Sequence, residues 1–169
     1  MKNRVVWLIR HAQAAHEKLG LSDFDRPLTV EGHQDAKALA VWLGRYCPVP
    51  DTVISSPVPR ARQTAESLAA AWSEPPSIIV EPRLYEAPLE GLVRLIQEFP
   101  EAWHRVLIVG HNPSLSHCAD WFIGEPTVLE LPPGGMIQLA FDVPEWRAVG
   151  HATARLMTAE TTESAGNRH

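Results

Sequence analysis

The sequence predicts an α/β fold, a three-layer sandwich in which a mostly parallel central sheet has helices on both faces. Two observations lead to this prediction. Short apolar runs alternate with segments of helical periodicity along most of the 169 residues, and these runs lack the polar alternation of strands that have one face in water. Helical connections between successive strands are also what a parallel sheet requires.

Four buried parallel strands are predicted from short apolar runs that are rich in β-branched residues. They cover Val5–Ile9, Thr52–Ser55, Ile78–Val80 and Val106–Val109. Two later segments follow a Pro- and Gly-containing turn and predict a closing hairpin. They are Met136–Phe141 and Ala148–Met157, joined through Pro144.

Four helices are predicted from apolar residues that recur at spacings of three and four. Counted from the N-cap where there is one, they are Thr29–Tyr46, Ser56–Trp72, Leu89–Phe99 and Asn112–Phe122. Thr29, Ser56 and Asn112 are the predicted N-caps, because their short polar side chains can accept from a free backbone N–H. Pro57 and Pro113 are then the first helical residues, where the missing N–H of proline costs nothing.

The chain length fits one domain with its own hydrophobic core. We assign residues 1–157 to this domain. Residues 158–169 are polar and lack periodicity, and they predict a flexible C-terminal tail. The sequence carries no signal for the oligomeric state.

Charge and composition exclude several classes of partner. The formal net charge of −5 gives no general attraction for nucleic acid or anionic membranes, so neither is an expected partner. No segment has the length of a membrane span, and the apolar run near the N-terminus is too short for a signal-peptide core. The two cysteines, Cys47 and Cys118, lack metal-type spacing, and we expect buried, reduced thiols in a cytoplasmic protein.

Cationic and imidazole side chains follow three of the predicted strands. The first strand runs into Arg10 and His11, and the fourth runs into His111. Arg60 lies one helical turn beyond the end of the second strand. Because the carboxyl ends of parallel strands meet at one edge of a sheet, we expect these four side chains to lie together. The N-termini of two predicted helices face the same edge, which favours an anion there.

Such a cluster has the chemistry of a phosphoryl-transfer site. Guanidinium groups bind phosphate oxygens through paired hydrogen bonds, so Arg10 and Arg60 are candidate phosphate ligands. A neutral imidazole can attack phosphorus, and nearby positive charge favours the neutral form of His11. His111 is a candidate donor to the phosphoryl oxygens. This chemistry needs no metal or other cofactor. Each residue alone has a plainer interpretation, as solvated charge or a structural histidine, but their equivalent places at strand ends favour the functional one.

Two further residues are weaker candidates. Glu86 follows the third strand and is a candidate general acid for a leaving oxygen, or else a solvated carboxylate. Arg26 is a candidate substrate contact at the rim of the pocket, or else half of a surface salt bridge.

Three motifs resemble those of the histidine phosphatase superfamily. They are Leu8–Ala12 (LIRHA), Ser55–Ala65 (SSPVPRARQTA) and Val109–Pro113 (VGHNP), in the family's order along the chain. The resemblance implies a phosphoglycerate mutase-like fold and phosphatase activity. It assigns His11 as nucleophile, with Arg10, Arg60 and His111 lining the phosphate pocket. Ala12 departs from the glycine of the better-known motif, which matters only if that backbone needs a positive φ.

Within the superfamily the chain resembles the SixA-type phosphohistidine phosphatases. The short length and the segments Asp25–Thr29 and Leu84–Ala87 carry this likeness. It implies that the partner is a phosphorylated signalling protein of the histidine-phosphotransfer type. Two alternatives stay open. One is a phosphatase for small phosphorylated metabolites such as sugar phosphates, and the other is a phosphate-binding regulatory module without turnover.

Overall fold

The computed structural model describes residues 4–16, 20–127 and 130–160, and this part of the chain contains six strands and four α-helices. The strands are β1 (Arg4–Arg10), β2 (Thr52–Ser55), β3 (Ile78–Val80), β4 (Arg105–Gly110), β5 (Met136–Phe141) and β6 (Ala154–Glu160). The helices are α1 (Val30–Tyr46), α2 (Pro59–Ala69), α3 (Leu89–Gln97) and α4 (Ser114–Ile123). Short 3₁₀ turns occur at Pro82–Leu84 and Trp146–Ala148.

The strands form one mixed sheet in the order β3-β2-β4-β1-β5-β6. Strands β1 to β4 pair in parallel, whereas β5 is antiparallel to β1 and β6 is antiparallel to β5. The predicted α/β fold with a mostly parallel sheet is therefore confirmed. Strand β1 lies in the interior of the sheet between β4 and β5, so the residues that follow it reach the middle of the sheet's carboxyl edge.

Two apolar clusters cover the two faces of the sheet, as the near-continuous apolar strands predict. From β1, Val6 and Leu8 pack on the face covered by α3 and α4, where Phe122 is fully buried. Trp7 and Ile9 point to the opposite face, which is covered by α1 and α2. Side chains that alternate along one strand thus hold both helical layers.

The start of α2 differs from the sequence prediction. Ser56 is not an N-cap, because its backbone N–H donates to the Val109 carbonyl at 3.0 Å and continues the extended pairing of the strands. Val58 is the N-cap residue and Pro59 begins the helix. The predicted N-cap and helix start at Ser56-Pro57 were therefore wrong by two residues. The hydroxyl of Ser56 lies instead beside the sheet edge, next to His111.

The closing hairpin is also shorter at its second strand than predicted. Trp146 lies in a 3₁₀ turn, is fully buried and donates its indole N–H to the Trp103 carbonyl at 2.8 Å, which takes this segment away from the sheet. Strand β6 therefore begins at Ala154 and continues to Glu160. The predicted boundary between domain and tail at 157/158 falls inside this strand, and residues 161–169 lie outside the described part of the chain.

The N-terminus of α1 packs closely against the segment that follows β1. Thr29 is the N-cap as predicted, since its hydroxyl accepts from the Gly32 N–H at 2.9 Å. The backbone N–H of Thr29 donates to the Gln13 carbonyl at 3.0 Å. Glycine is required at position 32, because a Cβ there would lie 2.1 Å from the Gln13 carbonyl oxygen. This contact holds the chain near His11 against the first helix.

In the part of the chain that the structure describes, no helix is long and apolar enough to cross a membrane. Neither cysteine forms a disulfide. Cys118 is buried as predicted, whereas Cys47 is only half-buried. Burial raises the pKa of the Cys47 thiol to about 11, so this thiol is protonated at neutral pH.

Loss of the Thr29 cap gives a test of the fold. We expect Thr29→Ala to lower the free energy of unfolding by about 1 kcal/mol, because the Gly32 N–H loses its acceptor. Urea unfolding measures the change. Thr29→Ser keeps the hydroxyl and should retain most of the stability. Equal stability of the alanine variant and the wild type would contradict the capping role.

Candidate active site

A cavity of about 300 Å³ lies at the carboxyl edge of the parallel strands. Its lining residues are Arg10, His11, Asp23, Arg26, Arg60, Tyr85, Glu86, His111 and Asn112. All six site residues predicted from the sequence are in this set, so residues 101 positions apart along the chain meet in one place. Asp23 and Tyr85 were not predicted.

His11 is held by its own backbone and by the residue that follows it. Its N–H donates to the Gly110 carbonyl at 3.0 Å, and its carbonyl accepts from the Gly134 N–H at 3.1 Å. The ring Nδ1 lies 2.7 Å from the Ala12 carbonyl oxygen. Because a carbonyl oxygen only accepts, Nδ1 carries the hydrogen and Nε2 keeps its lone pair.

Alanine at position 12 is compatible with this arrangement. Ala12 does not have a positive φ, and it is fully buried. Its N–H donates to the hydroxyl of Thr64 at 3.0 Å, and that hydroxyl donates to the Arg60 carbonyl at 2.8 Å. The departure from the family's glycine therefore leaves no strain, and Thr64 links the loop of His11 to the helix of Arg60.

Both histidines of the site are neutral at neutral pH. Burial, opposed by the Ala12 carbonyl and assisted by Arg60, Arg10 and Arg26, lowers the pKa of His11 to about 4. Burial together with His11 and Arg60 lowers the pKa of His111 to about 3. The two ring centroids are 5.2 Å apart. Protonation of either ring would place a further positive charge in a pocket that already holds three arginines.

Two guanidinium groups have buried N–H groups that lack an acceptor. Arg60 is only 4% exposed and donates from Nη1 to the Asp23 carbonyl at 2.7 Å. Arg10 donates from Nη1 to the Leu131 carbonyl at 3.0 Å. The Nε atoms of both arginines are buried without a hydrogen-bond partner among the described residues. Buried donors are rarely left unpaired, so two at one cavity favour an anionic ligand there.

His111 is oriented by Ser56 and lies beside Tyr85. Its Nε2 is 2.8 Å from the Ser56 hydroxyl, and its ring meets the Tyr85 ring edge-on at 5.9 Å between centroids. The neighbouring Asn112 accepts from the Ser116 N–H and hydroxyl at 3.2 and 3.0 Å. The Asn112 side chain thus binds the first turn of α4. The predicted N-cap at Asn112 and helix start at Pro113 were nevertheless wrong by one residue, because Pro113 is the N-cap and the helix begins at Ser114.

The two weaker candidates both line the cavity. Glu86 is exposed and forms no hydrogen bond or ion pair with the described residues, so its role as an acid stays a prediction. Arg26 contacts Asp23, with Nε and Nη2 at 3.1 and 3.0 Å from Oδ1, and donates from Nη1 to the Ala15 carbonyl at 3.0 Å. The two sequence interpretations of Arg26, a pocket residue and a salt bridge, therefore hold together.

Sequence reasoning missed Asp23, which lies in the loop between β1 and α1. Its carboxylate accepts from the Tyr85 hydroxyl at 2.8 Å and from Arg60 Nη2 at 3.2 Å. The hydrogen bond from Tyr85 and the charges of Arg60 and Arg26 lower the pKa of Asp23 against a smaller opposing effect of burial, so this carboxylate is ionised at neutral pH. The only local signal is the Asp23-x-x-Arg26 spacing. The ends of the strands predict the positions of residues that directly follow them, and Asp23 lies further along the loop.

Within the described residues, no group of three or more His, Cys, Asp or Glu side chains is arranged to hold a metal ion. The cavity brings together three arginines, two neutral imidazoles, the carboxylates of Asp23 and Glu86, and the polar side chains of Tyr85 and Asn112. The fold and this constellation together define the chain as a phosphatase of the α/β type. Comparison with known proteins gives its family.

The chain belongs to the histidine phosphatase superfamily (branch 1), whose family model matches residues 6–120. It is 31% identical over 131 residues to the phosphohistidine phosphatase SixA of Escherichia coli strain K12, covering 76% of this chain and 74% of SixA. A structure from Agrobacterium tumefaciens, assigned as SixA, is 29% identical with a TM-score of 0.80, covering 94% and 97% of the two chains.

The same fold also occurs in an enzyme for a small molecule. The mycobacterial glucosyl-3-phosphoglycerate phosphatase superimposes with a TM-score of 0.71 at 18% identity, covering 91% of this chain and 97% of that one. At this identity the likeness shows the fold alone. The phosphoglycerate mutase-like fold and phosphatase class predicted from the sequence are thereby confirmed.

The lowered histidine pKa values predict how stability depends on pH. The unfolded chain binds protons at His11 near its ordinary value of 6.5, whereas the folded protein does so only near 4. Between these values the unfolded state binds more protons, so stability is full above pH 6.5 and is lost as the pH falls. We expect the free energy of unfolding of the wild type to decrease between about pH 7 and pH 5.

Urea unfolding in a phosphate-free buffer at both pH values measures this decrease. In His11→Gln the decrease should be smaller, because one buried imidazole no longer titrates. His151→Ala is the matched control, since His151 is exposed and stacks on Trp121 away from the cavity. The prediction is wrong if His11→Gln and the wild type lose equal stability.

Proposed function

We propose that this protein hydrolyses phosphohistidine on another protein, without a metal, through a covalent phosphohistidine intermediate on His11. The observation that carries the proposal is the state of the His11 ring. Its Nδ1–H is bound to the Ala12 carbonyl, and its Nε2 lone pair belongs to a neutral imidazole in a cavity lined by Arg10 and Arg60. A nucleophile and two phosphate ligands are thus already together.

In the first step, Nε2 of His11 attacks the phosphorus atom and the bond from phosphorus to the leaving group breaks. The guanidinium groups of Arg10 and Arg60, which line the cavity, donate to the equatorial oxygens, where negative charge is spread in the transition state. His111 lines the same cavity and is a further donor. The leaving group of a phosphohistidine is an imidazole, and its leaving nitrogen takes a proton from solvent, so the imidazole departs in its neutral form.

In the second step, water attacks the phosphorus atom of the His11 adduct. The new oxygen–phosphorus bond forms as the bond to Nε2 breaks, and one proton of the water passes to the phosphate or to bulk solvent. Inorganic phosphate leaves, and His11 returns to its neutral form because its pKa lies well below neutral pH. Neither step requires redox chemistry or a second substrate besides water.

The size of the cavity supports a phosphoryl group carried by a side chain. At about 300 Å³ it lies at the lower end of the range for small-molecule sites, which bury most of their ligand. A phosphoryl group and one attached ring use this space. A larger metabolite would leave most of its surface in solvent, whereas a protein substrate makes its remaining contacts outside the cavity.

The environment of Glu86 supports the same class of substrate. A phosphomonoester needs a proton on its leaving oxygen, yet Glu86 is exposed and no neighbouring group holds it in place. A phosphohistidine has less need of an acid, because its phosphorus–nitrogen bond is labile once the imidazole is protonated. The likeness to the phosphohistidine phosphatase SixA of E. coli agrees with this preference.

We further propose that the protein acts in the cytoplasm, where both of its cysteines would stay reduced and where signalling proteins of the histidine-phosphotransfer type are phosphorylated. Its expected partner is such a phosphoprotein. Nucleic acid and membranes are not expected partners, since the net charge of −5 repels both.

Removal of the nucleophile tests the reaction class. With a chelator present, we expect the wild type to hydrolyse an aryl phosphate and His11→Ala to lower kcat/KM at least about a thousandfold, or about 4 kcal/mol of barrier. The control His151→Ala removes an exposed histidine and should keep the wild-type rate. Retained turnover in His11→Ala would refute the nucleophile, and a wild type that binds phosphate without turnover would favour the regulatory module.

A comparison of substrates tests the phosphohistidine preference. We expect kcat/KM for a phosphorylated histidine-phosphotransfer domain to exceed that for every member of a panel of sugar phosphates and related metabolites by at least about tenfold. Phosphate release is measured with wild type and with His11→Ala as the blank. A metabolite that is hydrolysed faster than the phosphoprotein would overturn the preference.

A further inference from the structure

Asp23 is the residue on which the unpredicted contacts of the site converge. Its Oδ2 accepts from the Tyr85 hydroxyl and lies 3.2 Å from Arg60 Nη2, while its Oδ1 accepts from Arg26 Nε. Its backbone carbonyl accepts from Arg60 Nη1 at 2.7 Å. One loop residue thus binds two arginines of the cavity and one tyrosine, and the reaction described above does not use it.

The contacts of Asp23 occupy one edge of the Arg60 guanidinium and leave the Nε–H of the other edge without an acceptor among the described residues. A guanidinium offers paired hydrogen bonds along its end edge, from Nη1 and Nη2, or along its side edge, from Nε and Nη2. Asp23 takes the end edge with its carbonyl and its carboxylate. On the side edge, Nε is buried and has no partner among the described residues. Arg60 as a whole is only 4% exposed.

Arg26 is held in the opposite way. Its side edge faces Asp23, with Nε and Nη2 at 3.1 and 3.0 Å from Oδ1, and Nη1 donates to the Ala15 carbonyl. All three of its nitrogen atoms therefore lie against acceptors of the protein itself. Arg26 is thus placed to fix Asp23 through Oδ1, and Tyr85 fixes the same carboxylate through Oδ2.

We propose that Asp23 is the positioning residue for Arg60, which it holds so that the side edge of the guanidinium is presented to the phosphoryl group. This inference rests on the proposed phosphate site between Arg10 and Arg60. A flexible arginine would have to give up rotamer freedom when it binds phosphate, whereas Asp23 has already fixed the guanidinium before the ligand arrives.

The opposite role for Asp23 is that of an internal competitor, whose carboxylate must leave Arg60 before phosphate binds. The two roles predict opposite signs. A competitor would make phosphate bind more tightly when its carboxylate is removed, and a positioning residue would make it bind more weakly. The unpaired side edge of Arg60 favours positioning, because a phosphate oxygen that binds on that edge would not displace Asp23 from the end edge.

Binding of inorganic phosphate, measured by calorimetry, tests the proposal. We expect Asp23→Ala to raise the Kd for phosphate by about 10- to 100-fold, the effect of a lost hydrogen bond between charged groups. The Kd of Asp23→Asn should lie between those of the wild type and Asp23→Ala, because the amide oxygen of asparagine can still accept from Arg60. An unchanged or lower Kd in Asp23→Ala would overturn the proposal in favour of no role or of competition.

Asp25→Ala is the matched control, because Asp25 is an exposed carboxylate in the same loop that pairs with Ser22. It removes the same charge from the same segment without touching Arg60, and its Kd for phosphate should stay within about twofold of the wild type. A loss as large as that of Asp23→Ala would assign the effect to the loop or its charge and overturn the positioning role.

A double-mutant cycle shows whether Asp23 acts through Arg60. In the Arg60→Ala background, which itself binds phosphate weakly, the further change Asp23→Ala should alter the Kd by less than about threefold. A purely structural role, or direct contact of Asp23 with the ligand, would leave the full loss in this background and would contradict the proposal. Thermal unfolding of each variant accompanies the cycle.

The test separates this inference from the proposed function. Binding is measured without turnover, so a weaker phosphate complex in Asp23→Ala supports positioning even if the wild type proves inactive. A wild type that hydrolyses phosphohistidine while Asp23→Ala binds phosphate normally would refute positioning and leave the function intact.

Discussion

The site depends on one constraint, which is the placement of the buried Arg60 guanidinium and the half-buried Arg10 guanidinium at the carboxyl edge of the sheet. A charged group is costly to bury, and it stays buried only where it has acceptors. The protein supplies these acceptors incompletely. Leu131 and Asp23 provide oxygens for the outer nitrogens of Arg10 and Arg60, but both Nε–H groups stay unpaired among the described residues. An anion that supplies oxygens to these two arginines would complete the set, and this supports the proposed phosphoryl site.

The same constraint determines the state of the histidines. Burial and the field of the arginines act in one direction on His11, and both keep its ring neutral. Neutrality gives Nε2 its lone pair, so the burial and positive charge that suit the proposed phosphate site also suit the proposed nucleophile. The free energy of unfolding therefore falls at low pH, because His11 is protonated more readily in the unfolded chain than in the folded protein. Function and acid sensitivity therefore share one physical cause.

The sequence was most informative where topology alone decides position. Arg10, His11 and His111 were predicted together because the ends of parallel strands must meet, and the cap at Thr29 followed from local hydrogen bonding. Ser56 was wrongly predicted as a cap, because pairing with Val109 is a tertiary contact that local preference does not contain. Asp23 was missed for the same reason, since its partner Tyr85 is 62 positions away along the chain.

This division between strand ends and loops also explains how one fold serves several substrates. In the proposed function, the strand-end residues supply attack and phosphate binding, and these tasks are common to every phosphoryl substrate. The loop that carries Asp23 lies beside them, and its Phe24 is 39% exposed and meets the Tyr85 ring edge-on at 5.3 Å. Because Tyr85 also contacts His111 and binds Asp23, a change in this loop reaches the rim of the cavity and the guanidinium of Arg60 together. One tyrosine and one aspartate therefore connect the loop at the rim of the cavity to the arginine that we propose as a phosphate ligand.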